Sequence, residues 1–217
     1  MAKDMKIDFV SDIVCPWCVI GLRALEQALS NIRDILKADI HFQPFELDPT
    51  MRKGGENMLE YLGKKYGRSA EQTTVAQAAI IARAAEVGFN MIRDSETRIY
   101  NTFDAHRLLH WAEGGGRQTA LKYALFDAYF TDRQALDEPD ALIAAARKAG
   151  LDAQKAREVL ESGRYSDEVR AAERKWREAG ISSVPAIIIN DKYLISGGQP
   201  AETFERTLRK IASEITS

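Results

Sequence analysis

Nowhere along the chain do apolar residues run to the ~20 in a row that a membrane-spanning helix requires. Residues Met1-Ala2-Lys3-Asp4-Met5-Lys6-Ile7-Asp8 alternate charge with small or apolar side chains and hold no apolar core of a secretory signal. An excess of one charge is missing too: 30 Lys and Arg stand against 32 Asp and Glu, a net charge of -2. That balance gives no electrostatic case for nucleic acid or an anionic membrane as partner. The cytoplasm is therefore the expected compartment, where thiols rest mostly reduced. Cysteine is scarce: the 217 residues contain 2. With no second cysteine pair, and with His41 the nearest histidine, the four ligands of a structural zinc site are not in view. A permanent disulfide staple is not expected without export. No internal repeat is evident, and a chain of this length can bury a core as one large domain or as one domain carrying an insertion.

The two cysteines sit together in Cys15-Pro16-Trp17-Cys18, between a β-prone stretch, Met5 to Val10, and a helical pattern from Val19 to about Leu36. The start of a helix leaves unpaired N–H groups and the positive end of the macrodipole, both of which favour an anion. A thiolate placed there is stabilised, and its pKa falls. Pro16 suits the first helical position, where its missing N–H costs nothing. Cys15, outside the helix, is expected to be the exposed, ionised nucleophile, and Cys18, in the first turn, the less accessible resolving thiol. Two unreactive core cysteines at this spacing are the bland alternative. Asp12 either tunes Cys15 or closes the turn before it.

The rest of the chain reads as elements in sequence. Ile7–Val10 is a strand, the following helix carries Leu22, Leu25, Leu29, Ile32, Ile35 and Leu36 at spacings of three and four, and Asp39–Phe45 is a second strand. A Pro- and Gly-containing loop, Leu47 to Gly55, then opens a block that reads as helical throughout. Within it Asn57 caps Met58–Tyr66, and Ser69 with Gln72 forms a capping box for a helix to about Val87. Further helices are expected over Glu96–Glu113, Arg117–Tyr129, Asp140–Ala149 and Ala153–Ser162. Ser166 is expected to cap Asp167–Ala179, followed by a hairpin of Ala186–Ile189 and Tyr193–Ile195 and a last helix from Ala201 to about Ala212. With the helical block removed, the order β-α-β-α-β-β-α is that of a thioredoxin fold with a mixed sheet. The expected class is α/β: a discontinuous thioredoxin-like domain over 1–50 and 164–217, and an inserted all-helical domain over 51–163. Val184-Pro185 starts a strand, where proline is tolerated. In this fold that loop faces the cysteines, and a cis bond is expected there.

Ser11-Asp12-Ile13-Val14-Cys15-Pro16-Trp17-Cys18, the helical insertion, Asn101-Thr102-Phe103-Asp104-Ala105-His106-Arg107-Leu108-Leu109-His110-Trp111-Ala112, Ser183-Val184-Pro185 and Gly197-Gly198-Gln199-Pro200 together resemble the DsbA-like thioredoxin-fold oxidoreductases. Within that family the same stretches resemble the FrnE-like subgroup, named after frenolicin biosynthesis. The resemblance implies cytoplasmic thiol-disulfide oxidoreductase or isomerase activity, with Cys15 as nucleophile, Cys18 as resolver and Pro185 as cis-proline in an active-site loop that includes Pro16, Trp17 and Val184. It also makes Asn101 and His106 candidate substrate-binding residues, although His106 and His110, four apart, serve equally well in hydrogen bonding between helices. Gln199 is a candidate for a substrate carboxylate or a plain helix cap, and Trp17 either packs on the insertion or meets substrate.

No bound cofactor or metal is implied. Glutathione is a candidate co-substrate, the partner is a thiol or disulfide, protein or small molecule, and a homodimer is an open option. A neighbouring branch, the kappa-class glutathione transferases and 2-hydroxychromene-2-carboxylate isomerases, implies the alternative of a glutathione-dependent isomerase or transferase. That branch typically has Ser at the nucleophile position and no second Cys, and this chain departs from it at both. Some FrnE-like members carry a further C-terminal cysteine pair that is missing here. A non-catalytic redox sensor is the third reading.

Overall fold

The computed structural model describes residues 2–214, so Met1 and the tail 215–217 of the expected thioredoxin-like part lie outside the described residues. The first strand, β1 (Lys3–Ser11), is followed by helix α1 (Pro16–Asn31) and strand β2 (Leu36–Pro44). Next come β3 (Glu56–Asn57), α2 (Met58–Tyr66), α3 (Ala70–Glu86), β4 (Arg98–Ile99), α4 (Phe103–Glu113) and α5 (Gln118–Phe126), which runs into a π-helical turn over Asp127–Thr131. Then α6 (Pro139–Lys148), α7 (Ala153–Ser162) and α8 (Ser166–Glu178) lead to β5 (Ala186–Ile189), β6 (Tyr193–Ser196) and α9 (Ala201–Glu214). Four strands form one mixed sheet in the order β2-β1-β5-β6, parallel between β1 and β2 and antiparallel elsewhere. This is the thioredoxin arrangement expected from the order of elements. Among the described residues, no helix is long and apolar enough to cross a membrane.

Strand β1 has a partner on each side, and its Ile7, Phe9 and Val10 are fully buried. Phe9 stands opposite Phe42 of β2 and Ile187 of β5, and the two phenylalanine rings meet edge to face at 5.9 Å. Along β1 the apolar Met5, Ile7 and Phe9 alternate with Lys6 and Asp8, so one face of the strand is wholly apolar, and Val10 extends the apolar surface at its end. The outer edge of β2 is closed by a side chain. Gln118 of α5 accepts from the Phe42 N–H at 2.9 Å and donates to the Phe42 carbonyl at 3.1 Å, occupying both backbone groups as another strand would. On the other flank, Arg170 of α8 pairs with buried Glu46, and Arg177 donates to the Glu46 carbonyl at 2.7 Å. These bonds fix the turn after β2 that forms one wall of the site.

Four local expectations are corrected. The first helix ends at Asn31, not near Leu36, because Leu36 is already paired with Lys3 in β2 while Ile32 plugs the connecting turn, fully buried. The stretch expected as the beginning of a helix at Glu96 is a turn followed by β4, which pairs with β3. There the Asp94 side chain accepts from the Glu96 N–H and Thr97 Oγ1 accepts from the Asp94 N–H, local bonds that compete with helix. The helix starts only at Phe103, whose N–H is taken by Asn101 Oδ1, so the block is not all-helical. Ser166 does not cap α8: Tyr165 takes that position at φ 64°, and the Ser166 hydroxyl donates back to Gly163 O. The helix expected to Tyr129 loses α geometry after Phe126, where one π turn brings Tyr129 and Phe130 into the core. By contrast, Asn57 and the Ser69–Gln72 capping box behave as their sequence signals indicate.

Candidate active site

Cys15 is the N-cap residue of α1, with extended backbone (φ -84°, ψ 112°), and Pro16 opens the helix. Its N–H meets the Asp12 carbonyl at 3.4 Å, and its own carbonyl accepts the Cys18 N–H at 3.0 Å. The opposing loop brings Val184 O to 3.6 Å from Cys15 Sγ, and the Val184–Pro185 peptide bond is cis. Both cysteines are free thiols.

The two loops can lie this close because glycines face each other behind them. A Cβ on Gly21 would stand 3.0 Å from Gly198 Cα and 3.1 Å from Pro185 Cγ, and one on Gly198 would stand 2.8 Å from the Trp17 carbonyl. Backbone atoms supply the Gly198 and Trp17 contacts and cannot rotate away. Gly198→Ala is therefore expected to destabilise the fold by about 1–3 kcal/mol. That lowers Tm by a few degrees in a thermal melt, and the rate of any reaction at Cys15 falls with it.

Cys15 is not exposed as expected. It is 4% accessible, at the floor of a cavity of about 510 Å³, while Trp17 at the rim is 38% exposed. The covering wall comes from α2 and α3, with Tyr61, Gln77 and Ile80, and from the following segment, with Arg93 and Tyr100. Helix-first-turn geometry alone leaves Cys15 outside; the inserted segment, packed against α1 through α3, roofs it over.

Electrostatics separate the two thiols. The Cys18 side chain hydrogen-bonds the Cys15 sulfur and holds its pKa below the ordinary cysteine value, aided by the Cys18 and Trp17 N–H groups. Burial and the charge of Asp12 oppose this. Burial raises Cys18 well above the ordinary value, and the neighbouring Cys15 adds to the rise. Asp12 is 1% exposed. Burial pushes its carboxyl up, but the neighbouring His106, with the Leu47 N–H and Thr102, brings it below the usual carboxylate range. It thus both closes the turn before Cys15 and works against that thiol's ionisation. The arrangement is a thiol inclined to ionise next to one inclined to stay protonated, which can carry thiol-disulfide exchange in two steps.

Among the residues singled out from the sequence, Cys15, Pro16, Trp17 and Val184 line the cavity. Pro185 sits just behind, its carbonyl accepting the Gly197 N–H at 2.8 Å. Asn101, His106 and Gln199 are not among the lining residues. Asn101 donates to Met51 O at 3.0 Å, buried His106 places Nε2 3.5 Å from Asp12 Oδ1, and Gln199 donates to Ser196 O at 2.7 Å. His110 packs against the Tyr165 ring at 5.2 Å. Among the described residues no group of three or more His, Cys, Asp or Glu could hold a metal ion.

Lys122 of α5 was not apparent as a site residue. It is 1% exposed, donates to Ser11 Oγ at 2.8 Å and lies over the rings of Phe126 and Phe42 at 5.0 and 5.7 Å. Burial pushes its pKa down to about 8, and its charge in turn favours ionisation of Cys18. The signal was present: Lys122 falls on the same helical stripe as buried Gln118, Leu125 and Phe126.

A comparison with known families matches residues 6–209 to the DSBA-like thioredoxin domain. The uncharacterized protein YwbO of Bacillus subtilis is 27% identical over 205 residues, 94% of this chain and 96% of its own. Among solved structures, the probable DsbA oxidoreductase of Streptomyces coelicolor is similar at a TM-score of 0.91 and 37% identity, covering 98% of this chain and 92% of that one. The cytosolic disulfide reductase DsbM of Pseudomonas aeruginosa shares the fold at a TM-score of 0.65 and 15% identity, covering 97% of this chain and 100% of its own.

Proposed function

Because the chain belongs to the DSBA-like thioredoxin domain family, we propose that it is a cytoplasmic thiol-disulfide oxidoreductase or isomerase of the FrnE-like subgroup. Cys15 is the nucleophile, Cys18 the resolver, and the Val184–Pro185 loop with Pro16 and Trp17 frames the substrate disulfide. One observation carries the reading: the opposite displacement of two adjacent thiols, Cys15 toward ionisation and Cys18 away from it, at the floor of a cavity open to substrate. The compartment is the one named for DsbM. Glutathione is the proposed thiol co-substrate, and no bound cofactor is proposed. Asn101, His106 and Gln199 act from behind the lining residues, through the bonds that hold the loops in place.

The test is stoichiometric. Pre-reduced protein mixed with one equivalent of 2-hydroxyethyl disulfide is expected to lose both thiols, gain the Cys15–Cys18 disulfide and release two 2-mercaptoethanol molecules. Iodoacetamide is expected to label Cys15 with a midpoint below that of an ordinary thiol and to leave Cys18 unlabelled over the same pH range. Loss of a single thiol at saturation, or equal labelling of the two, overturns the proposal. A glutathione-dependent isomerase would keep its turnover without Cys18, which the Cys18→Ser variant reads directly.

A further inference from the structure

The cavity above Cys15 holds a cation without a counter-charge. Arg93 lies in the segment after α3, and that segment is fastened by the Ile92 N–H to Phe130 O at 2.8 Å and by Thr131 Oγ1 to Asn90 O at 2.7 Å. Its Nε donates to Gln77 Oε1 at 2.6 Å, and Gln77 is itself buried in α3, so the guanidinium is held in one place. Its Nη1 is buried and has no hydrogen-bond partner. Arg93 lines the same cavity as Cys15 and is close enough to feel the charge on that thiol. The rest of the lining leans the same way: Lys65, Arg68 and Arg177 join Arg93, against Asp12 and Asp48. Both acids are already engaged. Asp12 faces His106 and takes the Leu47 N–H, and Asp48 accepts from Thr50 and Tyr61.

A largely buried guanidinium whose contacts are the neutral Gln77 amide and the face of the Phe130 ring at 5.8 Å carries an uncompensated charge, and the cost is recovered when an anion with two oxygens reaches the fork. Resting on the proposed exchange reaction, we infer that Arg93 is a subsite for the carboxylate of the substrate, so that the preferred small substrates are disulfides carrying a carboxylate a few bonds from sulfur. The reaction itself is unchanged. Cys15 thiolate attacks one sulfur, forming a mixed disulfide and expelling one carboxylate-bearing thiolate. Cys18 then attacks Cys15 Sγ, forming the internal disulfide and expelling the second. The substrate gains two electrons, the protein dithiol loses two, and the protons of the two thiols pass to the released thiolates.

The experiment compares three symmetrical disulfides of similar size against pre-reduced protein in single turnover: 3,3′-dithiodipropionate, neutral 2-hydroxyethyl disulfide and cationic cystamine. The second-order rate constants are expected to fall in that order, with the anion favoured over the neutral compound about ten- to hundredfold, the worth of a charge-assisted hydrogen bond. In Arg93→Gln that ratio is expected to fall to near one, and in Arg93→Lys to an intermediate value. Because the ratio is read, a uniform change in Cys15 ionisation or in the amount of folded protein cancels. Equal rates for the three compounds with the unaltered protein, or a ratio that survives Arg93→Gln, overturn the inference. A second readout is independent of exchange. 3-(Methylthio)propionate, which cannot react, is expected to bind the unaltered protein in calorimetry and to lose that binding in Arg93→Gln. If no disulfide is reduced yet this binding holds, the exchange reading falls and the carboxylate subsite stands. If the neutral disulfide is reduced but the anion is neither preferred nor bound, the reverse is true.

Discussion

Cys18→Ser protein exposed to a small disulfide is expected to accumulate a stable mixed disulfide on Cys15, while Cys15→Ser forms none and loses exchange to the background rate. The first thiol makes the covalent bond and the second removes it, so deleting each stops the reaction at a different point. Intact-mass spectrometry reads both outcomes. The choice of replacement at position 18 matters, because the Cys18 side chain is the largest influence holding the Cys15 pKa down. A serine hydroxyl can still donate to the Cys15 sulfur, whereas an alanine cannot. Cys18→Ala is therefore expected to trap more slowly near neutral pH, with the pH midpoint of Cys15 alkylation shifted upward relative to Cys18→Ser. If the two variants show the same midpoint, the side-chain hydrogen bond does not control ionisation. If neither holds a mixed disulfide while Cys15→Ser still exchanges, the roles of the two thiols are wrong.

The parts of this molecule legible in the sequence are those decided within one turn of chain. Asn57 and Ser69 cap the helices they precede because the bonds they make reach only two or three residues ahead. The strands of the mixed sheet were legible because β1 alternates apolar with charged residues and β5 is a short apolar run, each bounded by turn residues. The misreadings arose where a distant partner decides. Ile32, Ile35 and Leu36 keep helical spacing, yet Leu36 is claimed by pairing with Lys3. At Glu96 helical spacing lost to the side chains of Asp94 and Thr97 and to strand pairing with Glu56 and Asn57.

The same division runs through the site. Cys15, Pro16, Cys18 and Pro185 are adjacent in sequence to the features that give them meaning. The burial of Cys15, the position of Lys122 and that of Arg93 depend on how a segment over a hundred residues long folds back on the first loop. No local pattern contains that. A charged residue on an apolar helical stripe, as at Lys122, is the one sequence signal that pointed there.

Replacing Lys122 by methionine is expected to make the protein more stable and the second chemical step slower. Methionine matches the length of the lysine stem between Phe42 and Phe126 without carrying a charge into the interior. Burial takes the lysine pKa from 10.5 to about 8, which corresponds to about 3 kcal/mol against the folded state at neutral pH. Losing the bond to Ser11 Oγ returns about 1 kcal/mol of that. Ser11 keeps a contact from its hydroxyl to Phe9 O at 3.4 Å, so the net gain is about 1–2 kcal/mol.

The sign of the pH dependence follows from the same shift. Between about pH 8 and 10.5 the unfolded chain holds the lysine proton and the folded chain has released it, so stability rises with pH across that window. In Lys122→Met this rise is expected to vanish. The comparison is best made on the oxidised protein, where Cys15 and Cys18 no longer titrate; as thiolates both would raise the lysine pKa. Denaturant melts of the two proteins at pH 7, 8.5 and 10 read the difference, and parallel curves would show that Lys122 carries no buried charge. The chemical consequence is separate. Lys122 favours the ionised form of Cys18, which must become a thiolate to attack the mixed disulfide. Without that charge the intermediate on Cys15 persists longer, and its lifetime in acid-quenched samples lengthens even as the fold becomes harder to melt. A variant that gains stability and keeps the original lifetime would leave Lys122 with a structural role alone.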